Sequence, residues 1–337
     1  MHCLPVAMVI DRTGGNSVVQ SVRGAISPGE LGTVLMHEHV FVLNEEIRRN
    51  YPDYWDEDAR VADAVAKLTA LKGLGVDTIV DPTVIGLGRD IGRIQRVNAQ
   101  VDINIIPATG LYTYNDLPFF LQYAGPNTLF GGEDPMIDMF VRDLTEGIAH
   151  TGVKAGFLKC AIDAPGLTPG VERVLRAVAA AHTRTGAPIT VHTNPHIQAG
   201  LIVQDIFRDA GVDLSRVVLG HSGDTADLDH LTSLMAAGCY LGMDRFGLDV
   251  LLPFEQRVDT VAELCRRGHA GQLVLAHDAS CYIDWFPPQA KEAAVPNWNY
   301  THIHNDVLPA LRERGVTDEQ ITTMLIDNPR RFFADIS

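Results

Sequence analysis

The sequence has no basic cluster, no Cys-x-x-Cys pair and no apolar stretch that reads as a membrane span, and each absence removes a class of function. Lys and Arg total 27 against 42 Asp and Glu, a net charge of -15. That balance disfavours a nucleic-acid backbone or an anionic membrane surface as partner. The cysteines (Cys3, Cys160, Cys239, Cys265, Cys281) are five, odd in number and widely spaced, which argues against a disulfide framework. A reducing compartment, the cytoplasm, is the expected location. The apolar opening Met1 to Ile10 has no basic leading region and runs into Asp11-Arg12-Thr13-Gly14-Gly15, so it fits neither a signal peptide nor a transmembrane helix. A dinucleotide-binding glycine turn is missing too: Gly86-Leu87-Gly88 lacks the third glycine, which counts against an open doubly wound sheet. No low-complexity or linker-like tract divides the chain. Residues 1–16 are set aside as an N-terminal extension without assigned function, and 17–337 read as one domain.

What is present is alternation. At 337 residues and 46% hydrophobic content a large core can form. Val18, Val19 and Val22 suggest a short strand leading to the turn Ser27-Pro28-Gly29, an N-terminal hairpin or lid. Short, β-branched apolar runs then recur at 33–39, 76–81, 103–108, 155–160, 188–192, 217–221, 240–244 and 273–278, the pattern of buried strands. Amphipathic stretches at 58–72, 91–99, 138–149, 171–183, 201–210, 226–236 and 254–267 separate them. Apolar strands alternating with helices predict a parallel sheet covered by helices. About eight such units is the count of a (β/α)₈ barrel.

Residues suited to metal binding fall at the carboxyl ends of these runs: His37 and His39 after the first, Lys159 in the fourth, His192 in the fifth, His221 in the sixth and Asp278 in the eighth. In barrels that end of the strands carries the active site. Within an extended strand His37 and His39 share a face; a surface histidine pair without a ligand role is the plain alternative. Lys159 is unexpected in a buried strand, where an ammonium is disfavoured and the free amine favoured. A free amine can take up carbon dioxide to form a carbamate, an anion able to bridge two cations. A lysine reaching solvent or paired with an acid is the alternative. Two divalent ions set against a carbamate, Asp278 and a hydroxide leave one positive charge, suited to polarising a carbonyl or phosphoryl oxygen. His302 and His304 lie two apart on a predicted helix and do not share a face. His150, His182, His196, His230 and His269 read as surface or capping groups, and Asp81 has no assigned role.

Taken together, Leu35-Met36-His37-Glu38-His39, the Lys159 strand, Val191-His192, Gly220-His221-Ser222-Gly223-Asp224, His277-Asp278 and Asp327-Asn328-Pro329-Arg330-Arg331-Phe332 resemble the phosphotriesterase family of the amidohydrolase superfamily. Within it, Gly110-Leu111-Tyr112-Thr113-Tyr114 and Met243-Asp244-Arg245-Phe246-Gly247-Leu248-Asp249 are similar to the phosphotriesterase-like lactonases. The resemblance implies a binuclear site at the carboxyl face of the barrel. His37, His39 and Asp278 would hold the buried ion and His192 and His221 the exposed one, with carboxylated Lys159 and hydroxide bridging both. Zinc, cobalt, iron or manganese suits such ligands. The implied activity is opening of N-acyl homoserine lactones or related oxo-lactones, a quorum-quenching activity, with phosphotriester hydrolysis on the side. Asp278 would move the proton, with Asp224 as relay. Tyr112 would steady the ring, with a core aromatic as its alternative. Arg245 would bound the pocket or form a salt bridge to Asp244, Asp249 or another acid. Trp285, from the long predicted loop 279–300, and Leu248 would line an acyl channel or pack against a second subunit of a homodimer. A dedicated organophosphate triester hydrolase and a metal-stabilised binding scaffold are the competing expectations.

Overall fold

A computed structural model describes residues 18–334; the extension 1–16 lies outside the described residues. In chain order the strands are β1 (Val19–Ser21), β2 (Gly24–Ile26), β3 (Val34–Leu35), β4 (His39–Val42), β5 (Thr78–Asp81), β6 (Asn104–Gly110), β7 (Phe157–Ala161), β8 (Ile189–His192), β9 (Val217–Gly220), β10 (Tyr240–Met243), β11 (Leu273–Leu275) and β12 (Ser280–Ile283). β1 and β2 form the antiparallel hairpin. β3 and β5 to β11 form one parallel sheet in sequence order. The Met36 N–H donates to the Leu275 carbonyl at 3.2 Å and brings the first strand against the last. The chain is a (β/α)₈ barrel.

Side-chain alternation decides what faces the interior. In β7, Phe157 packs with Val34, Met36, Ile106, Val218 and Val274 inside the barrel, while Leu158 and Cys160 join the cluster between sheet and helices. Two residues on from Phe157, Lys159 therefore shares the interior face. Phe332 and Phe333 pack beneath this interior cluster with Val19 and Leu31. Each fully buried side chain of this kind stabilises the fold by roughly 1.5–3 kcal/mol. The helices that return the chain are capped by polar residues, Asp90 accepting from the Arg93 N–H, Thr168 from Val171 and Asp227 from His230, which fixes where each begins.

Three expectations need correction. The first strand is not continuous over 33–39: it breaks after Leu35 and resumes at His39. The cause is a change of partners, since Glu38 N–H bonds the Val80 carbonyl and His39 N–H the Ala279 carbonyl, and β4 pairs with β12 above the barrel rim. His37 thus sits in the break rather than in regular alternation with His39. The helix expected over 138–149 is Pro135–Thr145, and Ala149 and His150 have positive φ. The segment 279–300 is not a plain loop, because it contains β12 and the helix Pro288–Ala294. No helix among the described residues is long and apolar enough to cross a membrane.

Candidate metal centre

The strand ends bring His37, His39, Lys159, His192, His221 and Asp278 to the floor of one cavity of about 490 Å³. His37 Nε2 and His39 Nε2 lie 3.3 and 3.2 Å from Asp278 Oδ1. His221 Nε2 lies 2.9 Å from His192 Nδ1 and 3.9 Å from Asp278 Oδ2. Two of these residues, His221 and Asp278, have left-handed backbones, with φ of 63° and 55°. Such strain is held in place by surrounding contacts and is concentrated at functional sites. Gly110, where β6 passes β7, has no room for a Cβ against the Lys159 carbonyl, so a side chain there would push the lysine strand away.

The outer nitrogen of each imidazole is tied down. Asp244 accepts from Nδ1–H of both His37 and His221, at 2.9 Å each, and from the His221 backbone N–H at 2.7 Å. His39 Nδ1 meets Thr83 Oγ1 at 2.7 Å, and that hydroxyl donates to Asp81 Oδ1 at 2.5 Å. His192 Nε2 meets Asp163 Oδ2 at 2.6 Å, and Asn194 donates to the other Asp163 oxygen at 2.8 Å. With those protons on the outer nitrogens, the inward nitrogens carry lone pairs. Burial also favours the neutral rings: it lowers the pKa of His37, takes His192 down to about 4 and holds His221 well below its ordinary value.

Lone-pair nitrogens therefore face one another and a carboxylate across 2.9–3.3 Å with no proton between them. That arrangement is repulsive without a cation and fits one well. His37, His39 and Asp278 form one group able to hold an ion. Lys159 fits the same reading. It is 1% exposed, its Nζ has no hydrogen-bond partner, and burial brings the amine down to about 8. An unpartnered buried amine is destabilising, and carboxylation would give it oxygens to share with a cation.

Arg245 is buried in salt bridges to two acids other than the neighbours Asp244 and Asp249. It donates from Nε to Asp278 at 3.0 Å and from Nη1 to Asp224 at 2.9 Å, while Arg257 lies 2.8 Å from the other Asp224 oxygen; neither Asp244 nor Asp249 is its partner. Burial opposes ionisation of Asp278, and with the neighbouring rings neutral the Arg245 guanidinium is the group that favours the carboxylate and lowers its pKa. The Tyr112 hydroxyl lies 3.2 Å from His192 Nδ1 and hydrogen-bonds the Tyr114 hydroxyl. Tyr112 is thus at the cavity floor and not solely a core aromatic. Above the floor the walls are apolar, with Leu248, Val250, Leu251, Trp285 and Phe286 prominent. The set-aside His182 is buried rather than at the surface, its Nδ1 donating to the Ala187 carbonyl at 2.7 Å.

Sequence reasoning missed the residues that orient the histidines: Asp244, Thr83, Asp163 and the unassigned Asp81. Asp81 and Asp244 each follow an apolar run of strand type, which was the available signal. Thr83 and Asp163 lie in loops, and nothing in their spacing marks them.

Barrel and donor set define a class, in which polar and titratable side chains from separate strand ends converge on a site suited to divalent cations. The chain belongs to the phosphotriesterase family, hydrolases that act on small molecules, and the family profile matches residues 17–333. It is 61% identical over 316 residues to the phosphotriesterase homology protein of Mycobacterium tuberculosis (strain ATCC 25618 / H37Rv), across 94% of this chain and 97% of that one. Against the aryldialkylphosphatase of Saccharolobus solfataricus it is 39% identical over 314 residues, across 93% and 98%. The solved structure of the phosphotriesterase from Mycobacterium tuberculosis superposes with a TM-score of 0.93 at 61% identity, covering 94% of this chain and 98% of that one.

Proposed function

We propose that this protein is a lactonase that binds two divalent cations and opens N-acyl homoserine lactones or related oxo-lactones. The observation that carries the reading is the cavity itself: a floor of cation-directed donors with a phenol and a guanidinium beside them, under a tall apolar wall. His37 and His39 through Nε2, with Asp278, would hold one ion; His192 through Nδ1 and His221 through Nε2 would hold the other. Lys159, carboxylated on Nζ, would be shared. The inward nitrogens support these assignments, and zinc, cobalt, iron and manganese all suit the ligands. When bound, the ions supply Lewis acidity and acidify the water held there.

The chain's own groups do the rest. Asp278 is ionised and takes the proton of the water that adds to the carbonyl carbon. As the ring C–O bond breaks, that proton returns to the leaving alkoxide and a hydroxy acid forms. Arg245 clamps Asp278 and Asp224 together, fixing the direction of the Asp278 carboxylate; a guanidinium only donates, so Asp224 acts by position, holding Arg245, rather than as a proton relay. The Tyr112 hydroxyl sits where it can donate to an oxygen at the floor. Leu248 and Trp285 give an acyl chain an apolar surface, which suits a neutral, amphipathic ester.

The aryldialkylphosphatase name of the 39%-identical relative favours a second reading, hydrolysis of phosphate triesters by the same groups. Comparing kcat/KM for an N-acyl homoserine lactone and for paraoxon separates the two. A higher value for the lactone is expected; a higher value for paraoxon would make the triester reading primary. Neither substrate turning over in metal-replete protein would favour the binding scaffold.

A further inference from the structure

A second cavity, of about 460 Å³, lies on the far side of β12 between the helix Glu57–Gly73 and the segment 286–301. Its walls carry three cations, Arg60, Lys67 and Lys291, and two acids, Asp63 and Glu292. Lys67 is already satisfied, donating to Asp63 and to the Cys281 carbonyl at 2.7 Å each. The other two cations are held by aromatic faces. The Arg60 guanidinium lies 3.9 Å from the centre of the Tyr282 ring, and the Lys291 ammonium 4.3 Å from that of Trp298. Neither has a carboxylate within salt-bridge distance among the described residues. A ring face attracts a cation without using up its N–H donors. Two part-buried cations without a carboxylate partner thus line one cavity in a chain of net charge -15, and an anion there would meet their N–H donors.

We propose that this second cavity is a binding site for the organic anion that hydrolysis releases, with Arg60 and Lys291 as its cationic contacts. Lys291, Phe286, Val295 and Trp298 line both cavities, so the two share a wall in which Lys291 stands. The proposal rests on the reading that an ester is hydrolysed, but not on which ester. A lactone plus water gives a hydroxy acid that ionises at neutral pH, and a phosphate triester plus water gives a diester anion and an alcohol. In both cases a neutral substrate becomes an anion beneath apolar walls that disfavour it. Burial and the neighbouring Lys67 ammonium press the Lys291 pKa downward, a penalty that a bound anion relieves.

Titration calorimetry on the full-length, metal-replete protein tests this, with 4-hydroxydecanoate, diethyl phosphate and the neutral 1,4-decanediol as probes. An anion bound in the second cavity appears as a site beyond any at the ions. Arg60→Met and Lys291→Met are each expected to weaken that site about tenfold, the equivalent of 1.4 kcal/mol. Arg49→Met, an exposed cation outside the cavity, is expected to leave it intact, and the diol should not bind there. Arg60 lines only the second cavity, so Arg60→Met is also expected to keep kcat/KM for the neutral ester. Whichever anion binds more tightly identifies the source. Anion binding unchanged in both Arg60→Met and Lys291→Met would overturn the site, whichever ester is cut. A site that disappears in those variants while no ester turns over would support the cavity and sink the hydrolytic reading instead.

Discussion

Glu38 accepts from both the backbone N–H and the ring Nδ1–H of His277, at 2.8 and 2.6 Å. Its other oxygen accepts from the Ala279 N–H at 3.0 Å, and His277 Nε2 accepts in turn from the Ile303 N–H at 2.9 Å. A fully buried carboxylate thus grips the backbone on both sides of Asp278, the residue with left-handed φ. Burial pushes the Glu38 pKa well up while the two amides pull it back. Glu38→Gln would replace one accepting oxygen by an NH₂ that faces an N–H donor. Thermal denaturation of the metal-free variant is expected to show a loss of about 1–3 kcal/mol, and the cobalt-substituted protein an altered visible spectrum. An unchanged spectrum would mean that the grip does not set the Asp278 geometry.

Asp244 is the shared outer partner of His37 and His221, so Asp244→Asn leaves one oxygen to serve two rings. The expected result is a metal affinity lower by about 10–100-fold, measured by competition with a chromogenic chelator. Wild-type affinity would show that the two rings are oriented by packing alone.

If Lys159 is carboxylated as proposed, metal uptake is expected to depend on pH and carbon dioxide together. Burial lowers the amine to about 8, so it is mainly ammonium below that pH and mainly free amine above. Carboxylation joins the free amine to CO₂ and releases a proton. Uptake of cations by stripped protein is therefore expected to rise as pH rises through about 8 and, at fixed pH, with added bicarbonate. Lys159→Ala should lose both dependences, with short carboxylates restoring part of the binding. Uptake by wild type that ignores bicarbonate would count against the carbamate.

Tyr112→Phe removes one hydroxyl from the cavity floor and no charge. A fall in lactone kcat/KM of about 10–100-fold, or 1.4–2.7 kcal/mol of transition-state stabilisation, is expected with metal content unchanged. If metal content falls in step, the hydroxyl serves the His192 ring rather than the substrate.

The barrel was legible because β-branched apolar runs and amphipathic stretches alternate with little interruption, and because the converging residues end those runs. Lys159 could be placed by counting, since it lies two residues from Phe157 on one strand face. The break between Leu35 and His39 could not be read, because it arises from long-range partners at Val80, Leu275 and Ala279 that leave no local mark. Orienting carboxylates escaped for a related reason: Asp244 and Asp163 act across strands, and a lone acid at a strand end looks the same whether it meets solvent or an imidazole. Arg245 shows the limit clearly: a salt bridge to Asp244, Asp249 or another acid could be expected from the sequence, but which acid could not, and the fold supplies Asp224 and Asp278.

The most direct test is to strip the protein of cations, reload it stepwise, and follow the ring-opening rate of an N-acyl homoserine lactone against ions bound per chain. The rate is expected to be near zero in stripped protein and to reach its maximum at two ions per chain. Full ring opening by the stripped protein would contradict the account.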